Sequence, residues 1–296
     1  MTIGIPRSLF YYLDDITEAF LKKLNIKVII SPKTNKHIID EGNKWANDEM
    51  CLSVKNYLGH VSYLKDKCDY ILVPRIDNYY TYNQTCTNFL AMHDIVKNIF
   101  DVKIISYNID LNNKQTLKKG LFNVGKKLNK NKKEINKAYH YAIDKYKKQN
   151  KALIKKNLER LNSDNKKVLL VSHNYNTYDE AIGKPIIEQL DKMGIDIIYS
   201  NHFDKSLCRK LSKNISEDLY WKLSKELIGS LELVKNKVDG VLFLSTFPCG
   251  LDSLANELVM LKLNLPYLNI VIDDLSATNG IETRIESFVD IIKNFQ

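Results

Sequence analysis

Residues 240–259 read GVLFLSTFPCGLDSLANELV, and the order of elements in that stretch decides the fold. GVLFLS is apolar almost throughout rather than alternating, which predicts a strand covered on both faces. STFPCG then supplies a proline and a glycine, which end a strand. From Leu251 to Leu263 the apolar residues recur at helical period. Strand, sharp loop and helix in succession form half of a parallel βαβ unit. Cys249 lies inside that loop, where the strand has ended and the helix is about to begin. A structural cysteine belongs within a strand or helix, whereas this position suits a ligand or a nucleophile.

The pattern repeats along the chain. TIGI (2–5), KVIIS (27–31), YILVP (70–74) and VKIISY (102–107) form one set of short apolar runs. KVLLVS (167–172), IDIIYS (195–200), GVLFLS (240–245) and YLNIVI (267–272) form a second. Between and after them, helical periodicity marks Ser8–Leu24, Asp179–Met193, Ser216–Val238 and Ile281–Phe295. The expected fold is α/β: two Rossmann-like parallel-sheet domains, 1–111 and 167–296, joined by a helical basic bridge, 112–166. In the bridge Leu121, Val124, Leu128, Ile135, Tyr139, Ile143 and Tyr146 recur mostly at three- and four-residue steps. Ligands of open parallel sheets bind beyond the carboxyl ends of the strands. PRIDNYYTYNQTC, SHNYNTYDEAIG, STFPCGLDS and IDDLSATNG all fall there and are read as loops.

Composition limits the function. The 296 residues suffice for two domains with full cores, and at 44 % apolar and 27 % charged the chain reads as a soluble globular protein. No apolar run approaches the ~20 residues of a membrane span. MTIGIPRSLFYY lacks the basic start and apolar core of a secretory signal, and five cysteines without regular spacing describe no disulfide framework. A reducing cytoplasm is the expected compartment. Of the net charge of +9, residues 112–167 contribute +14, from seventeen Lys and one Arg against four acids. Such a segment suits an acidic partner. Nucleic acid is disfavoured, because no aromatic stacking platform or reading motif accompanies the charge.

The cysteines divide by context. Cys68 directly precedes a strand and Cys208 lies within a helix, so both read as small, partly buried hydrophobes. Cys51 precedes a helix-compatible run, where a helix N-terminus would stabilise its thiolate. Cys86 stands in a polar aromatic loop. Arg75, Tyr178 and Asp179 sit at strand ends and are candidates for lining a cleft. Arg75 has the alternative of pairing with a carboxylate, and Asp179 that of capping the next helix. His60 and His173 are read first as hydrogen-bonded structural histidines, with ligation or proton donation as the alternative.

IGIPRSLFYY, SPKTNKHIIDEG, DEMCLSVKNYLGHV and DYILVPRI resemble the first half of a cysteine-containing domain associated with CoA-enzyme activases. SHNYNTYDEAIGKPI, DLYWKLSKE, FPCGLDSLANELV and GIETRIESFVD resemble its second half. That domain is similar to the subunits of 2-hydroxyacyl-CoA dehydratases and benzoyl-CoA reductases, and to double-cubane-cluster reductases. The resemblance covers nearly the whole chain apart from much of the basic bridge. It implies an iron–sulfur cluster, [4Fe–4S] in type, held at an inter-domain cleft by Cys51, Cys86 and Cys249. It further implies an ATP-hydrolysing activase that reduces the cluster, or another reductase or dehydratase subunit, as partner, with an acyl-CoA or other small molecule as substrate. No Walker-type glycine-rich lysine loop is present, which assigns ATP to the partner. IDDLSATNG departs from the acidic-histidine loop common among relatives, so no acid–base role carries over to it. Catalytic residues, oligomeric state and enzyme class, dehydratase-like or reductase-like, stay open. The alternatives are a non-catalytic electron-relay or scaffold partner of the same fold, and a small-molecule-binding α/β protein without a cluster.

Overall fold

All eight apolar runs form strands, and they sort into two four-stranded parallel sheets. The computed structural model describes residues 1–13, 16–80, 83–217, 219–273 and 279–294. The chain divides into two units, residues 1–149 and 150–296, with one sheet of this kind in each.

Unit 1 runs β1 (Thr2–Ile5), α1 (Phe10–Leu13), α2 (Ile16–Lys23), β2 (Lys27–Ile30), α3 (Lys36–Trp45), α4 (Leu52–Leu64) and β3 (Tyr70–Leu72). It continues through β4 (Arg75–Tyr80), β5 (Asn83–Gln84), α5 (Thr87–Ile99), β6 (Ile104–Ile105), β7 (Asn108–Asp110) and α6 (Leu117–Lys127). Its main sheet has the order β2-β1-β3-β6, with Thr2 opposite Lys27, Ile3 opposite Tyr70 and Ile71 opposite Ile104. Ile3, Phe20, Leu58, Val61 and Leu64 are fully buried around it. Gly59 of α4 faces the Ile38 carbonyl of α3, and a Cβ there would lie 1.9 Å from that oxygen, so only glycine permits so close a crossing.

α7 (Lys132–Leu161) contains the division between the units. Unit 2 then runs β8 (Lys167–Val171), α8 (Asn174–Thr177), α9 (Gly183–Lys192), β9 (Asp196–Tyr199), α10 (Lys205–Leu211) and α11 (Lys222–Val234). β10 (Gly240–Thr246), α12 (Gly250–Met260), β11 (Tyr267–Ile272) and α13 (Asn279–Asn294) complete it. The sheet order is β11-β10-β8-β9. Every residue of the central strand β10 is buried, which explains why its sequence does not alternate. Phe243 and Val241 pack with Leu169, Leu227, Leu231 and Val259 in one core. Among the described residues no helix is long and apolar enough to cross a membrane.

Two expectations need correction. PRIDNYYTYNQTC is not simply a loop, because β4 and β5 lie within it, and β4 pairs with both β5 and β7 in a small third sheet. Along Arg75–Tyr79 partly exposed and buried residues alternate, but one buried position is Asn78, so the alternation is invisible in hydropathy. Its amide donates to Asp110 at 2.9 Å, and its side-chain oxygen accepts from the Leu111 N–H at 2.7 Å. Cys86 does stand in a loop, at its last residue before the helix α5. Secondly, SHNYNTYDEAIG holds the short helix α8, and the following helix begins at Gly183 rather than at Asp179. Most of IDDLSATNG, residues 274–278, lies outside the described residues.

Candidate functional site

Each of Cys51, Cys86 and Cys249 is the N-cap residue of a helix: α4, α5 and α12 respectively. The backbone dictates this in the same way at each. The Cys51 carbonyl accepts the Val54 N–H at 2.9 Å, that of Cys86 the Phe89 N–H at 2.9 Å, and that of Cys249 the Ser253 N–H at 3.0 Å. α4 runs back to β3, α5 to β6 and α12 to β11, all strands of parallel sheets. A helix leading into a parallel strand starts at the carboxyl edge of the sheet, where ligands bind. Each cysteine is partly exposed at that edge, beside the positive end of a helix dipole.

The other two cysteines have different settings. Cys208 is 1 % exposed in the unit 2 core, and burial foremost, then the neighbouring Glu226, pushes its thiol up to about 12. Cys68 donates its S–H to the Leu64 carbonyl at 3.3 Å, and burial raises its pKa as well. Both are inert thiols by setting. Among the described residues none of the five cysteines is in a disulfide.

The donor set of Cys51, Cys86 and Cys249 fits an iron–sulfur cluster in its chemistry: three thiols at helix N-termini, where backbone N–H groups favour the thiolate. Among the described residues no group of three or more His, Cys, Asp or Glu is placed to hold a metal ion.

The remaining candidates sort by their partners. Arg75 stands in β4 and its guanidinium binds Asp94, with the His93 ring nitrogen 2.8 Å from the same group. The His93 hydrogen bond foremost, with the Arg75 charge adding to it, keeps the Asp94 carboxyl below the usual range. Asp179 is 1 % exposed and its carboxylate accepts the N–H groups of Ala181 at 2.9 Å and Ile182 at 3.2 Å. It holds the turn that leads into α9. Tyr178 shares a hydrogen bond with His202 and stacks on it, with ring centroids 6.2 Å apart. Burial raises the Tyr178 hydroxyl and lowers His202 to about 4.

The histidines are structural in their contacts. His60 is fully buried between Ser31, at 2.9 Å, and Thr34, at 3.1 Å. Burial, helped by the Arg7 charge, lowers it to about 3, so its ring is neutral near pH 7. His173 begins α8 at the end of β8 and meets Asp252 at 2.8 Å, both residues being buried. Asp252 lies in the first turn of α12, three residues after Cys249, so this bond ties the cysteine-bearing turn to the neighbouring strand end. Sequence reading missed Asp252, whose only signal is its spacing from Cys249. A buried ion cluster also went unread: Glu226 bonds Arg209 and lies 3.3 Å from Lys222, a residue of the DLYWKLSKE motif.

No curated protein matches the sequence. Solved structures that align along the chain include ZnuA, at 9 % identity and TM-score 0.28, covering 99 % of this chain and 98 % of that one. An FpvC mutant from Pseudomonas aeruginosa aligns at 11 % identity and TM-score 0.29, covering 99 % and 98 %. Glutamate racemase from Aquifex pyrophilus aligns at 15 % identity and TM-score 0.23, covering 98 % and 84 %. The family model does carry an argument, because its match over residues 2–203 spans most of the chain and includes Cys51 and Cys86. The chain therefore belongs to the family described as the CoA enzyme activase uncharacterised domain.

Proposed function

We propose that the chain is an iron–sulfur redox component that works with an ATP-hydrolysing activase and acts on, or relays electrons toward, an acyl-CoA or other small substrate. One observation carries the reading. The three cysteines singled out as ligands are the three that cap helices at the carboxyl edges of sheets, while the other two are held away in low-reactivity settings. Cys51, Cys86 and Cys249 would hold the cluster as thiolates. When bound, such a cluster supplies electron transfer at a potential tuned by hydrogen bonds to its sulfurs. The chain's own part is to present partly exposed thiols at helix N-termini and to hold the Cys249 turn through the His173–Asp252 bond.

The second reading is a small-molecule-binding α/β protein without a cluster. Anaerobic purification followed by iron and sulfide determination and visible and EPR spectroscopy decides between them. A chain without stoichiometric iron after anaerobic reconstitution would remove the first reading. A cluster-bearing chain that is reduced by a cognate activase but turns over no acyl-CoA would be a relay partner rather than an enzyme.

A further inference from the structure

His173 stands just past the end of β8, at the carboxyl edge of the unit 2 sheet. Its strand is the neighbour of β10, which leads through the FPCG turn into α12. The chain leaves these two neighbours in opposite directions along the sheet: β8 leads on to β9, and β10 to β11. That is the switch point of an open sheet, where ligands bind.

The bond between His173 and Asp252 fixes the chemistry of the ring as well as the turn. His173 is 7 % exposed and stacks on Tyr175, with ring centroids 4.9 Å apart. Its Nε2 is 2.8 Å from Asp252 Oδ1. A carboxylate only accepts, so Nε2 carries the hydrogen, and in the neutral ring Nδ1 keeps its lone pair. Among the described residues that nitrogen has no hydrogen-bond partner. His60 differs, because both of its ring nitrogens are taken, by Ser31 and Thr34. A buried imidazole with one nitrogen held by a carboxylate and the other left as a lone pair is the arrangement of metal-ligating histidines.

Asp252 also sets where that lone pair is. It is the third residue of α12, and Cys249 is the N-cap of the same helix. Side chains at those two positions adjoin, as they do in a capping box. The turn borders open space, since a Cβ built on Gly250 would meet no described atom within 4 Å.

We infer that His173 is a fourth ligand of the iron–sulfur cluster, giving its Nδ1 lone pair to the iron that Cys51, Cys86 and Cys249 leave without a thiolate. The inference rests on the cluster reading above and adds a nitrogen to its all-sulfur donor set. Ligation displaces a solvent molecule from that iron and moves no electron. Imidazole serves as a cluster ligand in Rieske centres, so the donor type is chemically suited to iron. Asp252 raises the basicity of the ring and holds its orientation.

The test is pulsed EPR of the full chain after anaerobic reconstitution and chemical reduction, made with ordinary and with heavy-nitrogen histidine. A nitrogen coupling stronger than that of a hydrogen-bonded amide should appear and should change with the labelled histidine. His173→Ala should remove the coupling while a cluster on three thiolates remains. Asp252→Asn should keep the coupling but lose iron to a competing chelator about tenfold more readily, the scale for a partner that orients a ligand. Should His173→Ala fail to fold, the labelled wild type and Asp252→Asn still decide. A reduced cluster without histidine coupling, or coupling that persists in folded His173→Ala, would overturn the assignment and leave the cluster reading standing. A chain that takes up no iron would remove cluster and ligand together.

Discussion

Cys249 and Cys208 lie in the same unit and carry the same thiol, yet their surroundings ask different things of them. Cys249 is partly exposed at a helix start, whereas Cys208 is enclosed by the core of unit 2. Replacing Cys249 with Ala should abolish or strongly reduce iron binding with little change in melting temperature. Cys208→Ala should leave iron content near wild type and cost about 1–2 kcal/mol through the cavity it opens. Equal iron loss in both variants would mean that instability, not ligation, governs the iron content. His60 makes a second residue-scale claim. Its pKa in the fold, about 3, lies below the ordinary 6.5, so the unfolded chain binds the extra proton. Stability is then complete above the unfolded value and lost as pH falls from there toward the folded one. The maximal slope is about 1.4 kcal/mol per pH unit. His60→Gln, which keeps a hydrogen-bonding side chain between Ser31 and Thr34, should flatten this part of the acid limb in denaturant unfolding measured across that window. An unchanged slope would assign the proton uptake to other groups, His202 among them.

At the scale of elements, the helix pair α3–α4 sets where Cys51 can be. Since a Cβ on Gly59 would sit 1.9 Å from a backbone oxygen of α3, Gly59→Ala must push the two helices apart. The expected cost is about 1–3 kcal/mol in chemical denaturation, and a cost near zero would mean that the crossing is looser than it looks. The eight main strands were legible because strands of parallel sheets have continuous apolar runs, rare elsewhere in the chain. This holds even for the edge strands β2 and β11, which are only partly buried. The helix starts at Cys51 and Cys249 were legible for a related reason: each cysteine stands at the boundary between a polar stretch and a helical period. β4 was not legible, because its buried partner position is an asparagine satisfied by Asp110 and by a backbone N–H, and hydropathy registers only its polarity. Nor could spacing reveal that Asp252 reaches His173 across 79 positions. Hydrogen-bonded polar burial is the common feature of what went unread. It is also the feature from which the edges of both sheets are built.

For the whole molecule the charge is the dominant asymmetry: residues 112–167 hold +14 while the rest of the chain sums to −5. Helices α6 and α7 account for most of that segment, and Leu121, Val124 and Ile135 bury its apolar side, leaving the lysines outward. Lys126, Lys127, Lys132 and Lys133 are all exposed. A surface of one sign attracts an oppositely charged partner over a Debye length of about 8–10 Å and acts on the rate of encounter more than on final affinity. The family points to an activase as that partner. Changing the four lysines together to Gln should slow association with a cognate activase about tenfold at low salt, with the difference shrinking as salt rises. The dissociation rate should stay nearly constant, because rim charges steer rather than grip. Stopped-flow association at low and moderate salt, run in parallel with a single-stranded and a duplex oligonucleotide, separates the possibilities. Salt-dependent loss with the oligonucleotides and none with the activase would make phosphate the ligand of this surface. A variant that changes neither rate would leave the lysines as a solvated face, and steering would have to be abandoned.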